Sequence, residues 1–368
     1  MAEPPETNVR GLRLATIGSV PIYLGWSWLV LGVLVLVIVG PGLARGFGTV
    51  TGYLIAAAYA VALLVSVLAH EAAHALVARV FAHTVHRVVA DLWGGHTAFD
   101  ARNGTAWSAA AIAVVGPLAN GIVGALAFAG AAVSSSPVVV TLLSGTAFVN
   151  GALAVFNLLP GLPLDGGQIV ESLVWAATGE QGRARVVAGW SGRVLVVVLA
   201  VLVLLVPQLR GSPPDLTLAV WTAIIAAFLW SGASSAIAHG HALQALGQVD
   251  VAALVEPAAP IAADRPVAEL TSLRALPVVV DATGHPLGLV DHEALRSVPP
   301  SAVAVTPVSA VTAQAPVGWT AELGPRDAAM DLVRAFQESG SGVVAVTRGG
   351  VLAGVARAER VNAALRHN

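Results

Sequence analysis

Long apolar runs fill the first two-thirds of the chain, and the last third changes to short strand-like runs and amphipathic helices. A helix needs about 20 apolar residues to cross a bilayer. Six stretches reach about that length, near Ile22–Val39, Thr51–Ala78, Ala106–Val133, Val138–Leu158, Trp190–Val206 and Leu216–Ala238. The first is too long for the core of a secretory leader, and no small-residue cleavage pattern follows it, so it reads as an uncleaved span. Between the second and third spans, residues 83–102 alternate around Gly94-Gly95, which predicts a β-hairpin turning on the two glycines and dipping into the membrane. After Gln248 the pattern predicts buried strands at Ala275–Asp281, Leu287–Val290, Gly342–Thr347 and Val351–Ala356. A helix over Arg326–Gln337 would bury Ala329, Leu332, Val333 and Phe336, which share one face. The expected fold is a polytopic α-helical membrane protein with a membrane-associated β-hairpin and an α/β domain. Its divisions are an N-terminal segment at 1–20, a six-helix core at 21–241 and the α/β domain at 242–368.

Composition supports that division. Of 368 residues 56% are hydrophobic and 11% charged, against about 25% charged in soluble domains. Of the 40 charged residues, 21 follow Gln248, as expected for a lipid-embedded body with a soluble appendage. A net charge of −2 without a basic stripe argues against nucleic acid as a partner. Cysteine is absent, so a metal would be held by His, Asp or Glu. All 19 basic residues are arginine, which points to a GC-rich bacterial genome. Arginine placement orients the spans. Arg10, Arg13, Arg79, Arg87, Arg102, Arg183, Arg185 and Arg193 fall on one side, and Arg45 and Arg210 on the other. Both termini are therefore expected in the cytoplasm of a multi-pass cell-membrane protein.

Within the second apolar run stands His70-Glu71-Ala72-Ala73-His74. Ionisable groups at that depth are costly and are functional by default. Residues four apart share a helical face, so both imidazoles can reach one metal ion. Glu71 lies about 100° further round, near enough to take a proton from a water at that ion. A zinc site needs a third ligand, and the best candidate is Asp165 in the segment Asn157–Gly167, whose prolines and glycines must break a helix. The alternative is that Asp165 only caps a helix end. His83, His86 and His96 lie on the connection and lack chelating spacing, so they read as interfacial histidines.

These motifs resemble the site-2 protease family of intramembrane zinc metalloproteases. The resemblance rests on His70–His74, on Asn157, Pro160, Pro163, Asp165 and Gly166, and on Gly116 with Asn120. It covers roughly residues 18–241. It implies one Zn²⁺ held by His70, His74 and Asp165, with Glu71 as general base and Asn157 holding the substrate chain. Asn157 could equally be a polar cap on the broken helix. Asn120 and Asn150 read as amides that join helices by hydrogen bonds. A substrate helix must unwind before cleavage, and the hairpin around Trp93–Phe99 is a candidate edge for receiving it by β-addition.

Each half of the C-terminal third ends strand–turn–strand–helix, which resembles a tandem pair of CBS domains. Gly288–Ala294 and Gly354–Arg360 both depart from the nucleotide-binding pattern, lacking its hydroxyl and its aspartate. The first half also has little room before Ala275 for its usual helix. Homodimerisation or substrate gating is therefore expected of this pair rather than nucleotide sensing. The expected activity is hydrolysis of a peptide bond in or near the membrane span of a single-span regulatory protein, such as an anti-sigma or transcription factor. A metal-ion transporter with cytoplasmic CBS domains is the alternative, and Glu71 discriminates the two.

Overall fold

The computed structural model describes residues 11–17, 20–91, 94–100, 104–211, 216–248, 251–322 and 328–367. The chain divides into two compact units between His241 and Ala242.

The first unit opens with β1 (Gly11–Ile17) and β2 (Val20–Gly25), followed by α1 (Ser27–Phe47) and α2 (Thr49–Val80). Gly48 alone joins the two helices at φ +81°, a conformation that strains any L side chain. Next come β3 (Thr84–Asp91), β4 (Gly94–Asp100), α3 (Ala106–Val133), α4 (Pro137–Asn157), α5 (Asp165–Thr178), α6 (Gln181–Leu209) and α7 (Leu216–Gln248). Six of these helices, α1 to α4 with α6 and α7, are long and apolar enough to span a membrane. Val30, Leu54, Phe148 and Val194 are among many large apolar side chains left exposed on them. That surface suits hydrocarbon and would aggregate in water. The chain is a multi-pass membrane protein.

Several boundaries differ from those expected. The first span starts at Ser27, because Ile22 belongs to β2. An apolar strand running directly into an apolar helix leaves no hydropathy step between them. Part of the expected N-terminal segment is β1, and residues 1–10 lie outside the described residues. Gly94 and Gly95 are not the hairpin turn. They pair with Asp91 and Ala90 at the start of β4, so the link falls at residues 92–93, outside the described residues, as does Trp93 of the candidate edge. The hairpin is also half of something larger, a four-stranded sheet in the order β1-β2-β3-β4 with β2 and β3 parallel. The last two spans continue as helix beyond their apolar stretches, beginning at Gln181 and ending at Gln248.

The predicted helix break is present, and α5 follows it. The broken backbone of residues 158–164 is packed against protein: Leu162 and Leu164 are buried, and Leu162 N–H donates to Ala188 O of α6 at 3.2 Å. A Cβ on Gly192 would collide with Leu162 O, and one on Gly167 with Gly161 and Leu162. Glycines on both sides therefore let protein enclose an irregular segment at membrane depth.

The second unit contains α8 (Val251–Leu254), β5 (Ala258–Ala262), β6 (Leu276–Val280), β7 (Pro286–Val290), α9 (His292–Ser297) and β8 (Thr312–Gln314), then β9 (Thr320–Glu322), α10 (Ala328–Ser339), β10 (Val343–Arg348), β11 (Val351–Arg357) and α11 (Ala358–His367). Two small mixed sheets result, β5-β6-β7-β8 and β9-β10-β11. Each repeats a parallel pair followed by an antiparallel hairpin. Ala329, Leu332, Val333 and Phe336 of α10 pack into one core with Val344 and Val346. Before β6 the space holds only a 3-10 turn, Val267–Ser272. Asp291 is the N-cap of α9, accepting from the Glu293 and Ala294 amides. A Cβ on Gly288 would meet the Ala313 carbonyl of β8, and one on Gly354 the Val255 side chain and the Glu256 carbonyl.

Candidate metal centre

The 32-residue α2 brings His70 and His74 to one face, as their spacing requires. His70 lies about 15 Å from the helix C-terminus, at 1.5 Å per residue. Opposite them stands Asp165, first residue of α5. Its carboxylate makes no cap on its own helix, because the N-cap is Leu164 and carries no side-chain cap bond. The capping alternative is thereby excluded. His70 Nε2 lies 3.0 Å from His74 Nε2 and 3.1 Å from Asp165 Oδ2, and His74 Nε2 lies 3.5 Å from Asp165 Oδ1. All three residues are buried.

The hydrogen bonds show which lone pairs converge. His74 Nδ1 lies 2.7 Å from the Ile112 carbonyl, which can only accept, so Nδ1 carries the proton. Pro117 in α3 lacks the N–H that would bond Ala113 O, and its ring crowds that turn beside Ile112. His70 Nδ1 lies 2.6 Å from Asn120 Oδ1 and is held in the same tautomer. Both Nε2 atoms therefore present lone pairs to each other, and Asp165 Oδ2 has no hydrogen-bond partner among the described residues. Such an arrangement of lone pairs and carboxylate suits a cation. Tetrahedral zinc with bonds of about 2.0–2.1 Å sets its ligand atoms about 3.3 Å apart, a value that the three separations bracket. The two-nitrogen, one-oxygen donor set suits a zinc ion with one position left open.

Glu71 lies beside this triad without joining it. Its Oε2 accepts from Thr97 Oγ1 of β4 at 2.8 Å. A Cβ on Gly95 would run into the Glu71 carboxylate, so that glycine lets β4 approach α2. Gly116 of α3 is a second close approach, since a Cβ there would fall against His74 Nε2 and 2.6 Å from His70 Nε2. A cavity of about 460 Å³ opens on the group, bordered also by Asn157, Gln168 and Phe228. Gly95, Thr97 and Phe99, alternate residues of β4, face it.

All five sequence-predicted site residues thus border one cavity. His83 is buried with its ring against Phe99, His86 is exposed on β3, and His96 stands on β4 rather than on a loop. Among the described residues, only His70, His74 and Asp165 are grouped closely enough to share an ion. Thr97 and the His70-facing role of Asn120 escape sequence reasoning. Thr97 had no spacing signal at all, whereas Asn120 was visible as a polar residue at membrane depth.

Comparison with known proteins agrees. The model of "Peptidase family M50" matches residues 132–205, which contain Asn157 and Asp165. "Putative zinc metalloprotease Rip3" of Mycobacterium tuberculosis is 39% identical over 197 residues, 52% of this chain and 49% of its own length. "Putative zinc metalloprotease sll0528" of Synechocystis is 32% identical over 190 residues, 50% of this chain and 49% of its own. The chain spans about half the length of these curated relatives. The solved site-2 protease from Methanocaldococcus jannaschii aligns over 62% of this chain and 95% of its own, with 22% identity and a TM-score of 0.43. Residues 132–205 thus resemble peptidase family M50, about half of the chain is similar to two putative zinc metalloproteases, and the buried His–His–Asp group suits the same metal.

Proposed function

We propose that this chain is an intramembrane zinc metalloprotease that hydrolyses a peptide bond in or near the membrane span of a single-span protein. The observation that carries this reading is Glu71: a buried carboxylate facing the same cavity as the metal triad, yet hydrogen-bonded to Thr97 instead of lying among the ligands. His70, His74 and Asp165 would hold the zinc, which would supply an acidified water and polarise the scissile carbonyl. Glu71 accepts the proton as water attacks and returns it to the leaving amine. Thr97 keeps the carboxylate turned into the cavity. Asn157, on the cavity wall, offers its amide to the substrate backbone.

A substrate segment leaving its helix needs partners for its freed amides. Strand β4 has β3 on one side and ends the sheet order on the other. It presents alternate residues to the cavity, so β-addition there would bring a strand past Glu71. A membrane-anchored anti-sigma or transcription factor is the substrate class we favour. The C-terminal unit, as a degenerate CBS-like pair, is assigned to homodimerisation or gating.

Replacing Glu71 with Gln tests the reading. A full-length single-span protein should accumulate in membranes carrying the variant, while the purified variant keeps its zinc. A membrane proteome identical to wild type would refute proteolysis. Metal flux across vesicles that depends on His70 but not on Glu71 would instead favour transport.

A further inference from the structure

Asn150 is 1% exposed, lies in α4 and borders no part of the metal cavity, yet its amide can be oriented atom by atom. Its Nδ2 donates to the Thr146 carbonyl at 2.9 Å and to Ser66 Oγ at 2.9 Å. The Thr146 carbonyl can only accept, which fixes the amide's direction. Ser66 Oγ spends its own proton on Ala62 O at 2.8 Å, so it too can only accept from Asn150. Asn150 Oδ1 is therefore an acceptor, and it takes Asn120 Nδ2 at 3.0 Å. The other hydrogen of Asn120 Nδ2 points at Ser66 O, 3.4 Å away. Asn120 Oδ1 is what remains, and it faces His70 Nδ1.

We infer that Ser66, Asn150 and Asn120 form a directional relay, drawn from α2, α4 and α3, that positions His70 for metal binding. They are positioning residues. Backbone carbonyls at the far end forbid any reversal of the chain, so His70 Nδ1 must donate and Nε2 must offer its lone pair. With Asn150 removed, Asn120 can rotate and present Nδ2 to His70. The imidazole would then move its proton to Nε2 and withdraw the lone pair from the metal. Plain helix-packing amides would carry no such polarity. This inference rests on the reading of His70 as a zinc ligand.

The test uses the full chain in detergent, with zinc affinity measured against a competing chelator. Asn150→Leu is close in size, and the residue also borders a second cavity of about 300 Å³ between α1, α2 and α4 that can take the altered shape. We expect a loss of ~10–100-fold in zinc affinity, the usual effect of removing a partner behind a metal ligand. Ser66→Ala should lose less, because Asn150 keeps Thr146 O, and Ser66→Thr should restore the wild-type value. Imidazole ¹⁵N spectra of metal-stripped protein give an independent readout, with the His70 signals identified by their loss in His70→Gln. Wild type should show Nδ1–H at His70, and Asn150→Leu a mixture with Nε2–H. If Asn150→Leu does not fold, Ser66→Ala against Ser66→Thr decides on both readouts. Unchanged affinity together with an unchanged tautomer overturns the relay alone. Wild-type protein that binds no zinc overturns the metal reading as well.

Discussion

Gly116→Ala probes the metal centre with one methyl group. The added Cβ would lie 2.6 Å from both Cε1 and Nε2 of His70, and closer still to His74 Nε2. Ordinary contact begins near 3.4 Å, so the His70 ring would have to retreat by roughly 0.8 Å, and His74 further. Metal sites accept displacements of about 0.2 Å. The rings cannot swing freely either, because Nδ1 bonds to Asn120 and Ile112 anchor them at 2.6 and 2.7 Å. Losing one such bond costs ~10–100-fold in metal affinity. Two give ~10²–10⁴-fold, or about 2.8–5.6 kcal/mol. Gly121→Ala on the same helix is the control, since a Cβ there meets nothing within 4 Å. Chelator competition on both variants, with thermal melting to confirm folding, reads the difference directly. Equal zinc affinity in the two would refute the placement of α3 against the histidines, and with it the triad geometry.

Thr97→Val should lower cleavage of the accumulated substrate by about tenfold, a fraction of the ~10²–10⁴ that a general base supplies, while zinc content stays at the wild-type level; Thr97→Ser should recover the rate, and an unaffected valine variant would exclude the Thr97 contact. Within the C-terminal unit, the Thr347 hydroxyl and the Gly349 and Gly350 amides hold the Glu322 carboxylate below its ordinary 4.5. The contribution of a depressed carboxylate is complete above 4.5 and disappears as pH falls through the lower folded value. Glu322→Gln should therefore flatten the acid limb of stability, read by hydrogen exchange of the β10–β11 amides from about pH 6 to about pH 3. An unchanged limb would place the acid sensitivity elsewhere.

The candidate metal ligands were legible because the pattern that marks them is local. His70 and His74 need only helical periodicity, and Asp165 stands in a segment that cannot remain helical. The C-terminal strands were equally plain, since Val278, Val344 and their neighbours form short buried runs between turn residues. What escaped depends on tertiary contact. Ile22 was absorbed into the first span because β2 and α1 are both apolar. Gly95 suggests a turn by composition, yet its glycine serves the approach of β4 to Glu71. The α5 helix begins within the break itself, and Gly166 and Gly167 disguise its first turn.

The parallel pairing of β2 with β3 has a consequence for biogenesis. Ile22 meets Val88, Tyr23 meets Val89 and Leu24 meets Ala90, so a strand made early must wait for one emerging after two membrane helices. At ~5–20 residues per second that delay is about 3–13 s. Throughout it, the edge of β2 that will meet β3 has only solvent or headgroups as hydrogen-bond partners. The sheet beside the candidate metal centre is therefore completed only after the second helix has been made.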